Sequence, residues 1–195
     1  MTVIGVLALQ GNFAQHHTLL SSQNVCSRFV KTPDDLKGLS GLIIPGGESS
    51  ALLTLMAPLN FLQHILNFHD GGGAIFGTCA GLILLAKQVS PVQNSLGLLD
   101  IEVQRNAYGR QRESFVAEGA FTAFDNAIPM PMVFIRAPKI LTVSPDVRII
   151  GRCHQDITCV QQGRLLGATF HAEMSRTSHL HHYFVDHLCQ QDVVE

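Results

Sequence analysis

Charge is scarce in this 195-residue chain: 14% of the residues are Asp, Glu, Lys or Arg, and 13 cationic against 15 anionic side chains leave a formal net charge of −2. So balanced a chain carries no polybasic field, which argues against nucleic acid or acidic lipid as a partner. Long apolar runs are missing too. The run from Leu82 to Ala86 meets Lys87, far short of the roughly 18 residues a membrane span requires. The apolar N-terminal stretch, residues 3–9, is interrupted by Gln10-Gly11-Asn12 and has no Lys or Arg ahead of Arg28. It reads as a strand and not as a signal peptide. The five cysteines, Cys26, Cys79, Cys153, Cys159 and Cys189, are odd in number and scattered, which disfavours a disulfide scaffold and fits reduced thiols in the cytoplasm. Cys153, His154 and Cys159 lack the short paired spacing of a zinc site. Neither internal repeats nor low-complexity tracts are present.

What is present is apolar. Hydrophobic residues make up 46% of the chain, enough for one domain spanning residues 1–195 with a core of its own. Apolar surface left over would suit a lasting protein partner. Short apolar runs end in glycine or a polar turn at residues 3–9, 42–44, 74–76, 133–135 and 165–170, and each reads as a buried strand. Helical patterns fall at residues 13–23, 50–68 and 81–88. Their alternation predicts an α/β fold: an open, mostly parallel sheet with helices on both faces. In such folds ligands collect beyond the carboxyl ends of the strands, so functional residues are expected just after them. Residues 100–118 are more polar, with Arg105, Asn106, Tyr108, Gly109, Arg110 and Arg112, and read as a strand and loop set over one sheet edge. Residues 179–191 read as a final, partly exposed helix.

Three segments carry chemistry. Gly77-Thr78-Cys79-Ala80-Gly81 joins a buried strand to a helix, the cysteine form of a nucleophile elbow. The glycines permit close packing and unusual torsions, so Cys79 projects above the sheet, and the start of the helix favours its thiolate. The alternative is a small cysteine packed in the core. After the last buried strand comes Phe170-His171-Ala172-Glu173. In an extended backbone residues two apart face the same side, which lets Glu173 orient His171 toward Cys79 as a Cys-His-Glu triad; the alternative is a surface turn. The third segment, Pro45-Gly46-Gly47-Glu48-Ser49, is another glycine turn between strand and helix. The amides of Gly47 and Ala80 together would make an oxyanion hole, a plain tight turn being the competing reading.

These three segments, in this order, resemble the class I, or triad, glutamine amidotransferases, whose flavodoxin-like three-layer fold is then expected. More narrowly, Ile4-Gly-Val-Leu-Ala-Leu-Gln-Gly11, Arg105-Asn-Ala-Tyr-Gly-Arg-Gln111 and Val133-Phe-Ile-Arg-Ala-Pro138 resemble the glutaminase subunits of pyridoxal 5'-phosphate synthases. The resemblance implies that Cys79 attacks the carboxamide of L-glutamine, that His171 protonates the departing ammonia, and that water hydrolyses the thioester. It also implies glutamine binding by Gly47, Glu48, Ser49, Arg105, Ile135 and Arg136. An arginine suits the substrate carboxylate, although a guanidinium at position 105 serves equally to brace Glu48. The implied partner is a (β/α)8-barrel synthase in a large hetero-oligomer, and no cofactor or metal is implied for this chain. Two departures stand out. Ala172 replaces the family's usual proline, leaving the torsion there less fixed, and Gln15 stands where relatives often carry an acid. Competing readings are an intracellular-protease-like cysteine hydrolase and a catalytically silent regulatory subunit.

Overall fold

The computed structural model describes residues 2–107, 114–124, 126–175 and 179–190. Tyr108, Gly109, Arg110, Gln111 and Arg112 of the polar segment lie outside these residues, as do residues 191–195.

The chain opens with β1 (Val3–Leu7), α1 (Phe13–Ser22), β2 (Cys26–Val30), β3 (Gly41–Ile44), α2 (Ser49–Met56), α3 (Phe61–Asp70), β4 (Ala74–Thr78) and α4 (Ala80–Leu85). There follow β5 (Ala86–Ser90), β6 (Leu99–Gln104), β7 (Phe115–Phe121), β8 (Ile128–Phe134), β9 (Lys139–Val143), β10 (Arg148–Cys153), β11 (Asp156–Gln162), β12 (Leu165–Ala168) and α5 (His179–Tyr183). The main sheet has nine strands in the order β2-β1-β3-β4-β12-β11-β10-β7-β8. From β2 to β12 every pairing is parallel; from β12 to β8 every pairing is antiparallel. The expected parallel sheet is therefore one half of a mixed sheet. Its extension is less legible because β7, β10 and β11 alternate or carry polar residues where the central parallel strands β1, β3 and β12 are apolar.

Side-chain alternation divides the interior into two layers. Ile4, Val6, Ile43 and Phe76 face one way and pack with Leu20 of α1 and Leu180 and Phe184 at the C-terminus. Leu7, Leu42, Ile44 and Ile75 face the other way and pack with α2, α3, α4 and a small sheet of order β5-β6-β9. The strand expected within residues 100–118 is β6, and it belongs to this small sheet.

Three helical expectations need correction. Residues 50–68 form two helices and not one: Pro58 follows α2, and Asn60 turns left-handed at φ 48°, so the axes diverge by 89°. The helix expected at residues 81–88 ends at Leu85, where Ala86 turns extended and enters β5. The C-terminal helix is partly exposed as expected, but it is α-helical only over His179–Tyr183 and continues as a π turn over Phe184–Leu188. Among the described residues no single helix is long and apolar enough to cross a membrane. The α2–α3 segment reaches that length and composition only as a bent pair, and Leu52, Met56, Phe61 and Ile65 of that pair lie in the core.

Candidate functional site

Four parallel strands, β1, β3, β4 and β12, end at one rim of the sheet, and the residues that follow them meet there. Cys79 sits between β4 and α4 at φ 48°, ψ −100°, a torsion that side chains rarely adopt and that packing must hold. Its amide donates to the Ala168 carbonyl at 2.8 Å, pinning the turn to the end of β12. Gly81 makes the elbow possible from below: a Cβ there would lie 2.1 Å from the Ile44 carbonyl oxygen, so α4 rests directly on β3.

His171 and Glu173 are each 5% exposed. His171 Nδ1 stands 2.7 Å from Glu173 Oε1. The sequence suggested that an extended backbone brings the pair together; a 3-10 turn over Ala172–Met174 does so instead, with the Met174 amide donating to the His171 carbonyl at 3.2 Å. The His171 amide is tied in turn to the Val133 carbonyl of β8 at 2.9 Å.

Burial works against a charged His171, but hydrogen bonds and charge attraction with Cys79 and Glu173 outweigh it and raise its pKa to about 10. Burial likewise penalises Glu173, yet the neighbouring His16 and His171 hold its carboxyl far below the usual range. One nitrogen of His171 thus addresses Glu173 while the ring interacts with Cys79, the arrangement needed for a base that shuttles a proton to and from sulfur.

Gly46 closes the arrangement. A Cβ at this position would lie 2.4 Å from His171 Cε1 and 3.3 Å from Cys79 Cβ, so only glycine lets the loop after β3 approach both. Asn12, after β1, accompanies them: its amide nitrogen donates to Glu173 Oε1 at 3.2 Å, and its backbone amide donates to the Gly46 carbonyl at 3.1 Å. Gln10 accepts from the Glu48 amide at 3.0 Å.

A cavity of about 320 Å³ opens on Cys79 and His171 and is lined also by Gln10, Asn12, Gly47, Glu48, Ser49, Arg105, Ile135 and Arg136. All the residues named for glutamine therefore border one space. Their present engagements differ. Arg105 bonds Glu48 at 3.1 Å, the bracing contact. Ser49 is buried, with its hydroxyl donating to Gln93 at 2.9 Å. Arg136, left-handed at φ 46°, has an exposed side chain. Glu48 caps α2 through the Ala51 amide at 2.9 Å. Its carboxyl is held below the usual range: burial opposes this, and hydrogen bonds from the Ser50 hydroxyl and the Ala51 and Ser50 amides, together with Arg105, prevail.

Asn12, His16 and His181 were not foreseen as site residues. The rule that functional residues follow strands points to Gln10-Gly11-Asn12 after β1, whereas nothing local marks a histidine inside a helix. All five cysteines are free; Cys26 is exposed, and burial raises the Cys159 and Cys189 thiols, the latter to about 12. Gln15 is exposed on α1.

A thiol on an elbow, a buried histidine–carboxylate pair and a glycine loop stand together at one sheet rim, as expected of a triad-type glutamine amidotransferase. The family model of the SNO glutamine amidotransferases matches residues 6–190. The pyridoxal 5'-phosphate synthase subunit PdxT of Deinococcus radiodurans is 45% identical over 188 residues, covering 93% of this chain and 95% of that protein. The subunit of the same name from Niallia circulans is 44% identical over 184 residues, covering 94% and 96%. A crystal structure of a glutamine amidotransferase superposes with a TM-score of 0.88 at 36% identity, covering 95% of this chain and 98% of that one. A putative GMP synthase subunit from Thermoplasma acidophilum, at a TM-score of 0.70 and 15% identity, shares the fold. The chain belongs to the SNO glutamine amidotransferase family.

Proposed function

We propose that this chain is the glutaminase subunit of a pyridoxal 5'-phosphate synthase. It hydrolyses L-glutamine to L-glutamate and ammonia, and it passes the ammonia to a (β/α)8-barrel synthase subunit within a large hetero-oligomer for vitamin B6 synthesis. Family membership and the names of the relatives support the reading. The observation that carries it is the single cavity shared by Cys79, His171 and the residues named for glutamine, of a size that suits one small amino acid.

The Cys79 sulfur attacks the side-chain carboxamide carbon, and the oxygen of the resulting tetrahedral species takes hydrogen bonds from the amides of Gly47 and Ala80. His171 gives its proton to the departing nitrogen, the C–N bond breaks, and ammonia leaves a glutamyl thioester on Cys79. Water, deprotonated by His171, then attacks the thioester; the C–S bond breaks and glutamate departs. Throughout, Glu173 keeps the Nδ1 proton of His171 in place, which fixes the tautomer that turns Nε2 toward the reaction. Glu48, Ser49, Ile135, Arg105 and Arg136 shape the glutamine pocket, with an arginine suited to the α-carboxylate.

The test is to trap the thioester. Acid quench of the synthase complex during glutamine turnover, followed by peptide mass spectrometry, should place a glutamyl group on the Cys79 peptide, and Cys79→Ser should lack the thioester. Steady turnover with no adduct on the quenched Cys79 peptide and, in a parallel reaction with hydroxylamine, no γ-glutamyl hydroxamate released would rule out this mechanism.

A further inference from the structure

Behind Glu173 the polar chain continues into the core. His16, on α1, and His181, on α5, are both fully buried. His16 Nε2 lies 3.3 Å from Glu173 Oε2 and 3.3 Å from the Thr78 hydroxyl, while its Nδ1 lies 2.8 Å from His181 Nε2. Glu173 Oε2 has no hydrogen bond of conventional geometry among the described residues, so the His16 ring is the polar group facing it. Two imidazoles are a costly choice for a core position unless their polarity is used. Phe76 packs edge-on against both rings.

Proton placement follows from what each nitrogen meets. Among the described residues His181 Nδ1 is buried with no hydrogen-bond partner, and an orphaned lone pair costs less there than an orphaned N–H. His181 therefore carries its proton on Nε2 and donates to His16 Nδ1. That leaves the proton of His16 on Nε2, aimed between Thr78 and Glu173. Every donor points the same way, toward the carboxylate that in turn accepts from His171. Burial above all pushes the His181 pKa down to about 3, in keeping with a ring that stays neutral.

We infer that His16, held by His181, is a positioning residue for catalysis: it fixes the plane of the Glu173 carboxylate from the side opposite His171, so that α1 and α5 set the orientation of the base. The inference rests on the glutaminase reading, and one arm of its test does not depend on glutamine.

The test compares His16→Leu with His16→Gln in the synthase complex. Gln keeps a donor near the Nε2 position, whereas Leu keeps the bulk alone. His16→Leu should lower kcat by about 10- to 100-fold, the scale of a misoriented catalytic group, with KM for glutamine unchanged, and should slow alkylation of Cys79 by iodoacetamide at pH 7. His16→Gln should recover most of both rates. His181→Leu should move both in the direction of His16→Leu, by less. If His16→Leu does not fold, His16→Asn replaces it, since Asn reaches His181 and not Glu173. A folded Leu or Asn variant with wild-type kcat and alkylation rate would overturn the inference. So would equal losses in the apolar and Gln variants, which would mark a purely structural role. Absence of glutamine turnover in the wild-type complex would instead sink the glutaminase reading, while the alkylation comparison would still decide the role of His16.

Discussion

Glu173 Oε1 lies 2.7 Å from His171 Nδ1 although the two residues are held by a 3-10 turn and not by a strand. Their protonation links the site to stability. The pKa of His171 is raised in the folded protein from 6.5 to about 10, so its contribution is complete below pH 6.5 and is lost as the pH climbs through about 10. The pKa of Glu173 is depressed from 4.5, so its contribution is present above pH 4.5 and is lost as the pH falls toward its folded value. Thermal midpoints of the wild type and Glu173→Gln should differ most between about pH 4.5 and 6.5 and converge on both sides. A constant difference from pH 3 to 10 would contradict this coupling.

Gly46 admits no side chain, because a Cβ would overlap His171. Gly46→Ala should push the imidazole off line and lower kcat by about 100-fold, with a stability cost of about 1–3 kcal/mol from overpacking. Steady-state kinetics together with urea denaturation will check both. Undiminished kcat would mean that His171 is free to relocate without loss.

Ala172 opens the 3-10 turn between His171 and Glu173. Proline is favoured at the first position of a helical turn, where its fixed torsion is already the native one. Ala172→Pro should therefore stabilise the protein by about 0.4–1 kcal/mol through the unfolded chain, leaving kcat as it was. A lower melting temperature would show that the native torsion at this position excludes proline.

Arg105 is paired with Glu48, and both line the cavity. If Arg105 turns to the substrate carboxylate when glutamine enters, Arg105→Ala should raise KM by about 10- to 100-fold, the worth of one charge-assisted hydrogen bond, with a smaller effect on kcat. The same measurement on Arg136→Ala separates the two arginines. Unchanged KM in Arg105→Ala would reduce that residue to a brace for Glu48.

Much of this site is readable in the sequence because the central parallel strands β1, β3, β4 and β12 are short, buried and almost wholly apolar. Leu42, Ile43 and Ile44 precede Gly46-Gly47, Ile75 and Phe76 precede Cys79, and Leu165 and Leu166 precede His171, so the rule that function follows strands locates all three loops. Two things stayed hidden. The antiparallel strands β7, β10 and β11 mix exposed and buried positions, and their pattern depends on neighbours far along the chain. His16 and His181 are 165 residues apart, each within a helical segment where a histidine is ordinarily solvated. Only the packing of α1 and α5 against one face of the sheet brings them together behind Glu173.

The most direct measurement is glutamate release from glutamine by the wild type and Cys79→Ala, each with and without a pyridoxal 5'-phosphate synthase subunit. An ammonia donor that works for a partner should turn over faster when that partner is bound, and Cys79→Ala should release no glutamate in either state. Equal rates with and without the synthase would contradict the coupling, and a wild type silent even in a competent complex would contradict the glutaminase function itself.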